Sequence, residues 1–215
     1  MSKKKMFMMI GILLLIIIMI FLFFTFRKYS IIMGLQDKVS KYANSTNYHI
    51  KSCAQEENGV TVSIEYYKKD DKEVIFIERN LNEEITKISM YNNGERTDTF
   101  IETKDSKIAR LNNGTVMSMN VINYLETENN WQTFVESMKS KLSQTEYNGK
   151  ECYVINGFVS LASLTYEGAE VYLEKDTGLW IKTVEGERVT TREYEFENVE
   201  DSIFIEPDIG QYTLK

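Results

Sequence analysis

An uninterrupted apolar segment near the amino terminus constrains this chain more than any other feature. Residues 6–26 are apolar except for Gly11 and Thr25, and three lysines precede them. As an α-helix, these 21 residues rise about 30 Å, which matches the hydrocarbon thickness of a bilayer. The apolar core of a secretory signal is usually about half as long, and no small-x-small cleavage pattern follows the segment. The sequence therefore predicts a retained transmembrane helix, with an unusually long signal peptide as the alternative.

The charges around this segment predict its orientation. Lys3, Lys4 and Lys5 precede it together with the terminal amine, and Arg27 and Lys28 follow it, which gives a small bias toward a cytoplasmic amino terminus. A long carboxy-terminal domain can cross the membrane largely regardless of its charge. We therefore expect a cytoplasmic tail at residues 1–5, a single pass through the cell membrane at residues 6–26, and an extracytoplasmic domain.

The rest of the chain is acidic. Residues 29–215 hold 20 of the 25 basic residues and all 32 acidic ones, a formal net charge of −12. Nucleic-acid binding depends on neutralising phosphates with Lys and Arg, so this balance argues against nucleic acid as a partner. The same charge also favours solubility.

The two cysteines, Cys53 and Cys152, leave two alternatives open. In an oxidising compartment they could pair, and closing a loop of about a hundred residues would stabilise the fold by roughly 4 to 5 kcal/mol. The alternative is two separately buried thiols. Their spacing does not fit a compact metal motif such as CxxC.

Residues 27–46 predict an amphipathic helix directly after the membrane span. Ile32, Leu35 and Val39 recur at helical spacing, and polar residues occupy the other side. This apolar stripe could pack on the following domain or lie on the membrane surface.

Residues 47–215 predict an antiparallel sheet interrupted by a helical insert at about residues 117–142. Alternating apolar residues between turn signals indicate about five strands before the insert and about four after it, and Asn92-Asn93-Gly94 is the strongest turn signal. The alternation begins at Tyr48, and further predicted strands lie near residues 62–66, 74–77, 85–91, 96–102, 150–155, 169–174, 179–184 and 188–199, with residues 203–205 as an additional short strand before Pro207.

The insert carries an aromatic stripe. Trp131, Phe134, Met138 and Leu142 fall on one helical face. The sequence thus predicts an α+β fold: a transmembrane helix, then a curved antiparallel β-sheet covered by helices.

Three segments resemble a known family. YNGKECY (147–153), EVYLEKDTGL (170–179) and the stretch from Tyr194-Glu195-Phe196 to Phe204-Ile205-Glu206-Pro207 are similar to the carboxy-terminal half of lipoprotein-carrier (LolA/LppX-like) proteins and their membrane-anchored Gram-positive relatives. The order of helix, meander, helical insert and second meander resembles that fold, an incomplete barrel covered by helices.

The resemblance implies that a lipid, a lipoprotein acyl chain or another apolar ligand binds between sheet and helices. The helix with Trp131, Phe134 and Met138 would form a lid, and Phe158, Leu161 and Leu164 a rim. The alternative is plain core, which is the commoner role of an aromatic stripe at helical spacing. A retained anchor differs from diffusing carriers and favours local capture over transport. The alternative function is a noncatalytic interaction module with an envelope protein partner, in envelope maintenance or sporulation.

Catalysis finds little support in the sequence. The single histidine, His49, has no cysteine or carboxylate cluster at ligand spacing, and no nucleotide-binding or nucleophile motif occurs. The acidic pairs at residues 56–57 and 70–71 are chain neighbours, which point to opposite faces in a strand. We expect no enzyme activity, no cofactor and no metal site.

Overall fold

The computed structural model describes residues 3–42, 44–56, 59–113, 130–161 and 164–215. Two α-helices lie in this part of the chain, α1 (Lys3–Ser40) and α2 (Asn130–Lys139). Short 3-10 helices follow near the carboxy terminus at Asp201–Phe204 and Ile209–Gln211. The strands are β1 (Asn47–Gln55), β2 (Thr61–Lys69), β3 (Lys72–Leu81), β4 (Glu84–Asn92), β5 (Arg96–Glu102), β6 (Lys107–Asn113), β7 (Lys141–Tyr147), β8 (Lys150–Leu161), β9 (Leu164–Glu174), β10 (Trp180–Glu185), β11 (Arg188–Phe196) and β12 (Thr213–Leu214).

The twelve strands form one sheet in the order β12-β6-β5-β4-β3-β2-β1-β11-β10-β9-β8-β7. Neighbouring strands are antiparallel except for β12, which pairs parallel with β6. β1 joins the two meanders because it pairs with both β2 and β11. The sheet is not closed: β7 and β12 form its two edges in the described part of the chain. The predicted order of an apolar helix and a mostly antiparallel, open sheet is confirmed. Fuller cover by helices stays a prediction.

The apolar segment and the amphipathic segment form one continuous helix, α1. Residues 27–40 contain no proline, and only Gly34 is a poor helix former, so helical hydrogen bonding continues past the apolar run. Ile32, Leu35 and Val39 are buried. Of the two alternatives for this stripe, the structure therefore shows packing on the domain.

The amino-terminal part of α1 stands clear of the domain. Its most apolar window has a mean hydropathy of 3.3 and is 0% buried inside the structure. Among the described residues this is the one helix long and apolar enough to cross a membrane, and a signal sequence near the amino terminus would meet the same criteria.

The main core lies between α1 and one face of the sheet, which we call the α1 face. Alternate residues of each strand point to this face. The core joins Ile32, Leu35 and Val39 of α1 to buried side chains of β1, β2, β3, β8, β9 and β10 and of the β9–β10 turn: Tyr48, Ile50, Tyr66, Ile75, Ile155, Val171, Leu173, Leu179 and Trp180.

A second core lies on the opposite face, which we call the outer face. Val74, Tyr91, Phe100 and Ala109 of β3 to β6 are buried there, and Phe204 and Tyr212 pack against them. The carboxy-terminal segment, residues 199–215, thus covers the outer face of these strands.

The structure corrects the predicted elements at four points. Residues 203–205 are not a strand, because Asp201–Phe204 is a 3-10 helix that places Phe204 on the second core. Leu142 lies in β7, since α2 ends at Lys139. β7 was missed because most of this edge strand is polar and exposed, so it shows no apolar alternation. β6 was missed as well.

Candidate ligand-binding surface

Five isoleucines form a row across the α1 face. Ile64 pairs with Ile77, Ile77 with Ile88, Ile88 with Ile101, and Ile101 with Ile108. Each sits on the next strand from β2 to β6, so the row crosses four strand spacings, about 19 Å. We call these side chains the isoleucine row.

The isoleucine row is only partly buried. All five side chains are in the intermediate range of exposure. Ile64 and Ile77 pack against the main core. In the described part of the chain, Ile88, Ile101 and Ile108 lie outside this core and extend the row. A continuous apolar strip of this kind is typical of a site for an extended apolar ligand.

A pocket of about 230 Å³ adjoins one end of the isoleucine row. Ile64 belongs to both, and Ser52 lies between Ile64 and Arg192 in the sheet register. We call this the arginine pocket. Its lining consists of Ser52, Ala54, Ile64, Trp180, Thr183, Glu185, Arg188, Thr190 and Arg192.

Polar groups are held at fixed positions in the arginine pocket. The guanidinium carbon of Arg192 lies 3.8 Å from the ring centre of Trp180, a cation–π contact. Thr183 is 4% exposed, and its buried hydroxyl has no hydrogen-bond partner among the described residues. Tyr194 donates a hydrogen bond to the carbonyl of Trp180 at 2.8 Å, which holds the bulged start of β10.

A second cleft, of about 550 Å³, lies on the outer face between β2–β5 and the carboxy-terminal segment. Aromatic side chains, including Phe76, Tyr91 and Tyr212, line it together with the carboxylates of Glu65, Glu78 and Glu102, beside Lys87 and Pro207. We call this the outer cleft.

Tyr212 closes one side of the outer cleft by donating a hydrogen bond to Glu102. This bond, with a second from Lys107 at 3.1 Å, lowers the pKa of Glu102. Burial and the neighbouring carboxylate raise the pKa of Tyr212 to about 12. Both shifts favour the hydrogen-bonded pair, which fixes the carboxy-terminal segment on β5.

A third pocket, of about 310 Å³, lies where α1 leaves its apolar segment. Phe24, Arg27, Lys28 and Ile31 of α1 face β7 and β8 across it. Lys28 donates a hydrogen bond to the carbonyl of Ser140 at 2.9 Å, and burial lowers the pKa of this lysine.

The predicted lid lies against α1. The ring of Phe134 is 5.3 Å from Phe26 and 5.9 Å from Tyr29. α2 also contacts β8. Met138 is partly buried on the same helix.

The other predicted lining residues are placed by backbone alone. Trp131 is in α2, Phe158 and Leu161 are in β8, and Leu164 is in β9, but their side chains lie outside the described part. Their role as ligand lining stays a prediction. Sequence reasoning named none of the residues of the arginine pocket as a site.

Both cysteines are free thiols. Cys53 is exposed on β1, and Cys152 is buried on β8, four strand spacings away in the sheet, or about 19 Å. A disulfide needs Cα atoms within about 7 Å, so the disulfide alternative is wrong for this fold. The alternative of two buried thiols holds only for Cys152.

His49 lies between two carboxylates. Its ring stacks on Tyr67 at 4.1 Å, with Nδ1 3.5 Å from Glu195 and Nε2 3.8 Å from Glu65. The residue lines none of the three pockets described above. Within the described ranges, no three His, Cys, Asp or Glu side chains are grouped so as to hold a metal ion.

No family model and no curated protein matches this chain. Several solved structures are similar to it. An uncharacterized conserved protein from Thermus thermophilus has a TM-score of 0.44 at 11% identity, over 85% of this chain and 98% of that one. MucB in complex with MucA(peri) has a TM-score of 0.34 at 13% identity, over 79% of this chain and 57% of MucB.

A LolA superfamily protein from Nitrosomonas europaea has a TM-score of 0.27 at 9% identity, over 81% of this chain and 97% of that one. A member of the LolA superfamily, the family that the sequence resembles, is among the solved structures found, at low identity. All three TM-scores are below 0.5.

Proposed function

We propose that the chain is a membrane-anchored module that binds an apolar ligand, such as a lipid or a lipoprotein acyl chain, along the isoleucine row. The observation that carries this proposal is the register of Ile64, Ile77, Ile88, Ile101 and Ile108, which lines up five partly buried apolar side chains. A stretched acyl chain can contact all five. Roughly ten buried methylene groups would contribute about 8 kcal/mol before the costs of association.

The position of α1 supports capture beside the membrane. The helix continues without a break from the apolar segment onto the α1 face, where the isoleucine row lies. The hydrogen bond from Lys28 to Ser140 fixes α1 to the segment between α2 and β7. The binding face is thereby held at the bilayer surface, so the ligand moves a short distance and the protein stays in place.

The first test measures co-purifying lipid. Native mass spectrometry of the full chain, released from detergent, should detect bound lipid, and Ile88→Ser should reduce it because the row loses its central apolar contact. Ile85→Ser is the matched control, since Ile85 lies on the same strand, is 44% exposed and faces the other way. Equal lipid on both variants, or none on the unmodified chain, would count against the proposal.

Display outside the cytoplasm can be tested with the two thiols. Cys53 is exposed, whereas Cys152 is buried and burial raises the pKa of its thiol. A membrane-impermeant maleimide should therefore label intact cells at Cys53, and Cys53→Ser should remove the label. Labelling that requires cell lysis would contradict this location.

The module is proposed to be noncatalytic. His49, the one histidine of the chain, sits outside the three described pockets and stacks on Tyr67. This placement supports a structural role for its ring.

A second candidate is supported by the outer cleft. Its aromatic rings and its carboxylates, Glu65, Glu78 and Glu102, suit a basic segment of an envelope protein partner. Fluorescence anisotropy with a labelled lysine-rich peptide tests it. Glu65→Gln should weaken binding, whereas Glu84→Gln, an exposed change outside the cleft, should leave affinity unchanged. Equal affinity of both variants would remove this candidate.

A further inference from the structure

We infer that the ligand is an anionic amphiphile whose head group, a carboxylate or a phosphate, binds in the arginine pocket while its acyl chain follows the isoleucine row. This inference rests on the proposed function and names the chemistry of its ligand. Four features of the described residues carry it.

The first feature is alignment. Arg192 pairs with Ser52, and Ser52 pairs with Ile64, so Arg192 extends the same cross-strand line as the isoleucines. Two strand spacings, about 10 Å, separate Arg192 from Ile64. A single extended molecule can therefore reach from the guanidinium to the apolar strip.

The second feature is a buried donor without a partner. The Thr183 hydroxyl lies inside the pocket wall, 4% exposed, and makes no hydrogen bond among the described residues. An unpaired buried hydroxyl costs stability. An oxyanion in the pocket would accept a hydrogen bond from this hydroxyl and remove this cost.

The third feature is the support of the cation. The ring of Trp180 lies under Arg192 at 3.8 Å and restricts the guanidinium to the pocket wall. A planar guanidinium held in place can donate two parallel hydrogen bonds to a carboxylate or phosphate. Trp180 also supplies an apolar wall for the first carbons of the chain.

The fourth feature is charge and size. The lining contains two arginines, Arg188 and Arg192, and one carboxylate, Glu185, which gives it a net positive charge in a strongly acidic domain. The volume of about 230 Å³ is below the usual range of a whole ligand site, roughly 300–1,000 Å³. A head group fits this space better than a complete lipid.

A competition experiment tests the head group directly. The delipidated full chain in detergent is offered an equimolar mixture of a long-chain fatty acid, the phosphate monoester of the same chain, and the corresponding fatty alcohol, and native mass spectrometry measures occupancy. The acid and the phosphate should each exceed the alcohol by about tenfold, as expected for a charge-assisted hydrogen bond. Inorganic phosphate is added in a separate arm at increasing concentration.

Variants locate the effect. Arg192→Gln should lower occupancy by the acid and the phosphate about tenfold and leave the alcohol unchanged. Thr183→Val keeps the side-chain shape and should act in the same direction with a smaller effect. Arg110→Gln is the control, because Arg110 is exposed on the same face at β6. Thermal unfolding confirms that each variant is folded.

The outcomes separate the inference from the proposed function. If acid and alcohol bind equally, or Arg192→Gln and Thr183→Val both leave the preference intact, the head-group assignment is overturned while apolar binding stands. If inorganic phosphate displaces the phosphate ester but not the alcohol at concentrations near its own dissociation constant, the pocket is a site for a free anion. The assignment of an anionic amphiphile as the ligand is then overturned. If none of the three compounds binds, both proposals fail.

Discussion

Strands β8–β10 and strands β4–β6 belong to one sheet, yet their main buried apolar clusters lie on opposite faces. Ile155, Val171 and Leu173 are almost fully buried on the α1 face. In β4 to β6 the buried apolar cluster of Tyr91, Phe100 and Ala109 lies on the outer face under the carboxy-terminal segment. Because β4–β6 have their own core on the outer face, their isoleucines on the α1 face are not required to complete a core.

In a sheet of this kind, coverage of a residue separates a role in the fold from a role in binding. An apolar residue that is needed for the fold is covered by the fold itself, as Leu173 is by α1. A row of apolar residues on strands that are already stabilised from the other side is available for a ligand.

The largest effect should come from Phe100 on the outer face. Phe100 is 1% exposed, so Phe100→Ala should lower the free energy of unfolding by about 3–5 kcal/mol. Its chain neighbour Ile101 points to the α1 face, and Ile101→Ala should cost only roughly 1 kcal/mol. Urea unfolding of the full chain, followed by circular dichroism, measures both. Equal losses would show that β5 is core on both faces.

The next effect compares one residue type in the two regions. Ile155 is 3% exposed under α1, and Ile155→Ala should cost about 2–5 kcal/mol through the cavity it leaves. Ile88→Ala, in the isoleucine row, should cost roughly 1 kcal/mol but reduce lipid occupancy. A large stability loss at Ile88 would place the row in the core and contradict the comparison.

Gly178 tests how α1 is seated on β8–β10. At φ +75° a side chain is strained, and a Cβ would collide with the carbonyl oxygen of Leu35 and lie 2.9 Å from Val39. Gly178→Ala should therefore cost about 1–3 kcal/mol and increase hydrogen exchange in α1. Gly149, also at φ +75° but with open space around it, is the matched control. The prediction fails if Gly149→Ala is as disruptive as Gly178→Ala.

The smallest effect concerns the pH dependence of the outer-face cover. The pKa of Glu102 is lowered when folded, so its contribution is present above the unfolded pKa and is lost as pH falls through the folded value. The pKa of Tyr212 is raised from 10.0 to about 12, so its contribution is lost as pH rises through that range. The protection of residues 199–215 against hydrogen exchange, relative to the intrinsic rate at each pH, should fall at both extremes. Tyr212→Phe should abolish the loss of protection at alkaline pH. If the Tyr212→Phe variant loses protection at alkaline pH as the unmodified chain does, the role given to Tyr212 is contradicted.

The local elements could be predicted from the sequence because their signals are local. The apolar segment, the helical stripe of Ile32, Leu35 and Val39, and the turn at Asn92-Asn93-Gly94 each depend on residues close in the chain. The polar edge strand β7 could not be predicted, because its order comes from pairing with β8.

The site required the registers of several strand pairs at once. The isoleucines of β2 to β6 fall on one line only when four registers are correct, and a slip by one residue moves a strand's side chains to the other face. The contact of Tyr212 with Glu102 spans 110 positions, so no local pattern indicates it. The one available signal for the row was that an isoleucine stands at an equal distance on either side of each turn.

The most direct test of the central claim is photoaffinity mapping with an acyl-chain probe. The full chain in native membranes is irradiated with a photoactivatable fatty acid, and the modified peptides are identified by mass spectrometry. The account predicts adducts on β3 to β6, centred on Ile77, Ile88 and Ile101, that an excess of unlabelled fatty acid suppresses. Adducts confined to the apolar part of α1, residues 6–26, would show that the protein meets lipid only through this segment and would contradict the account.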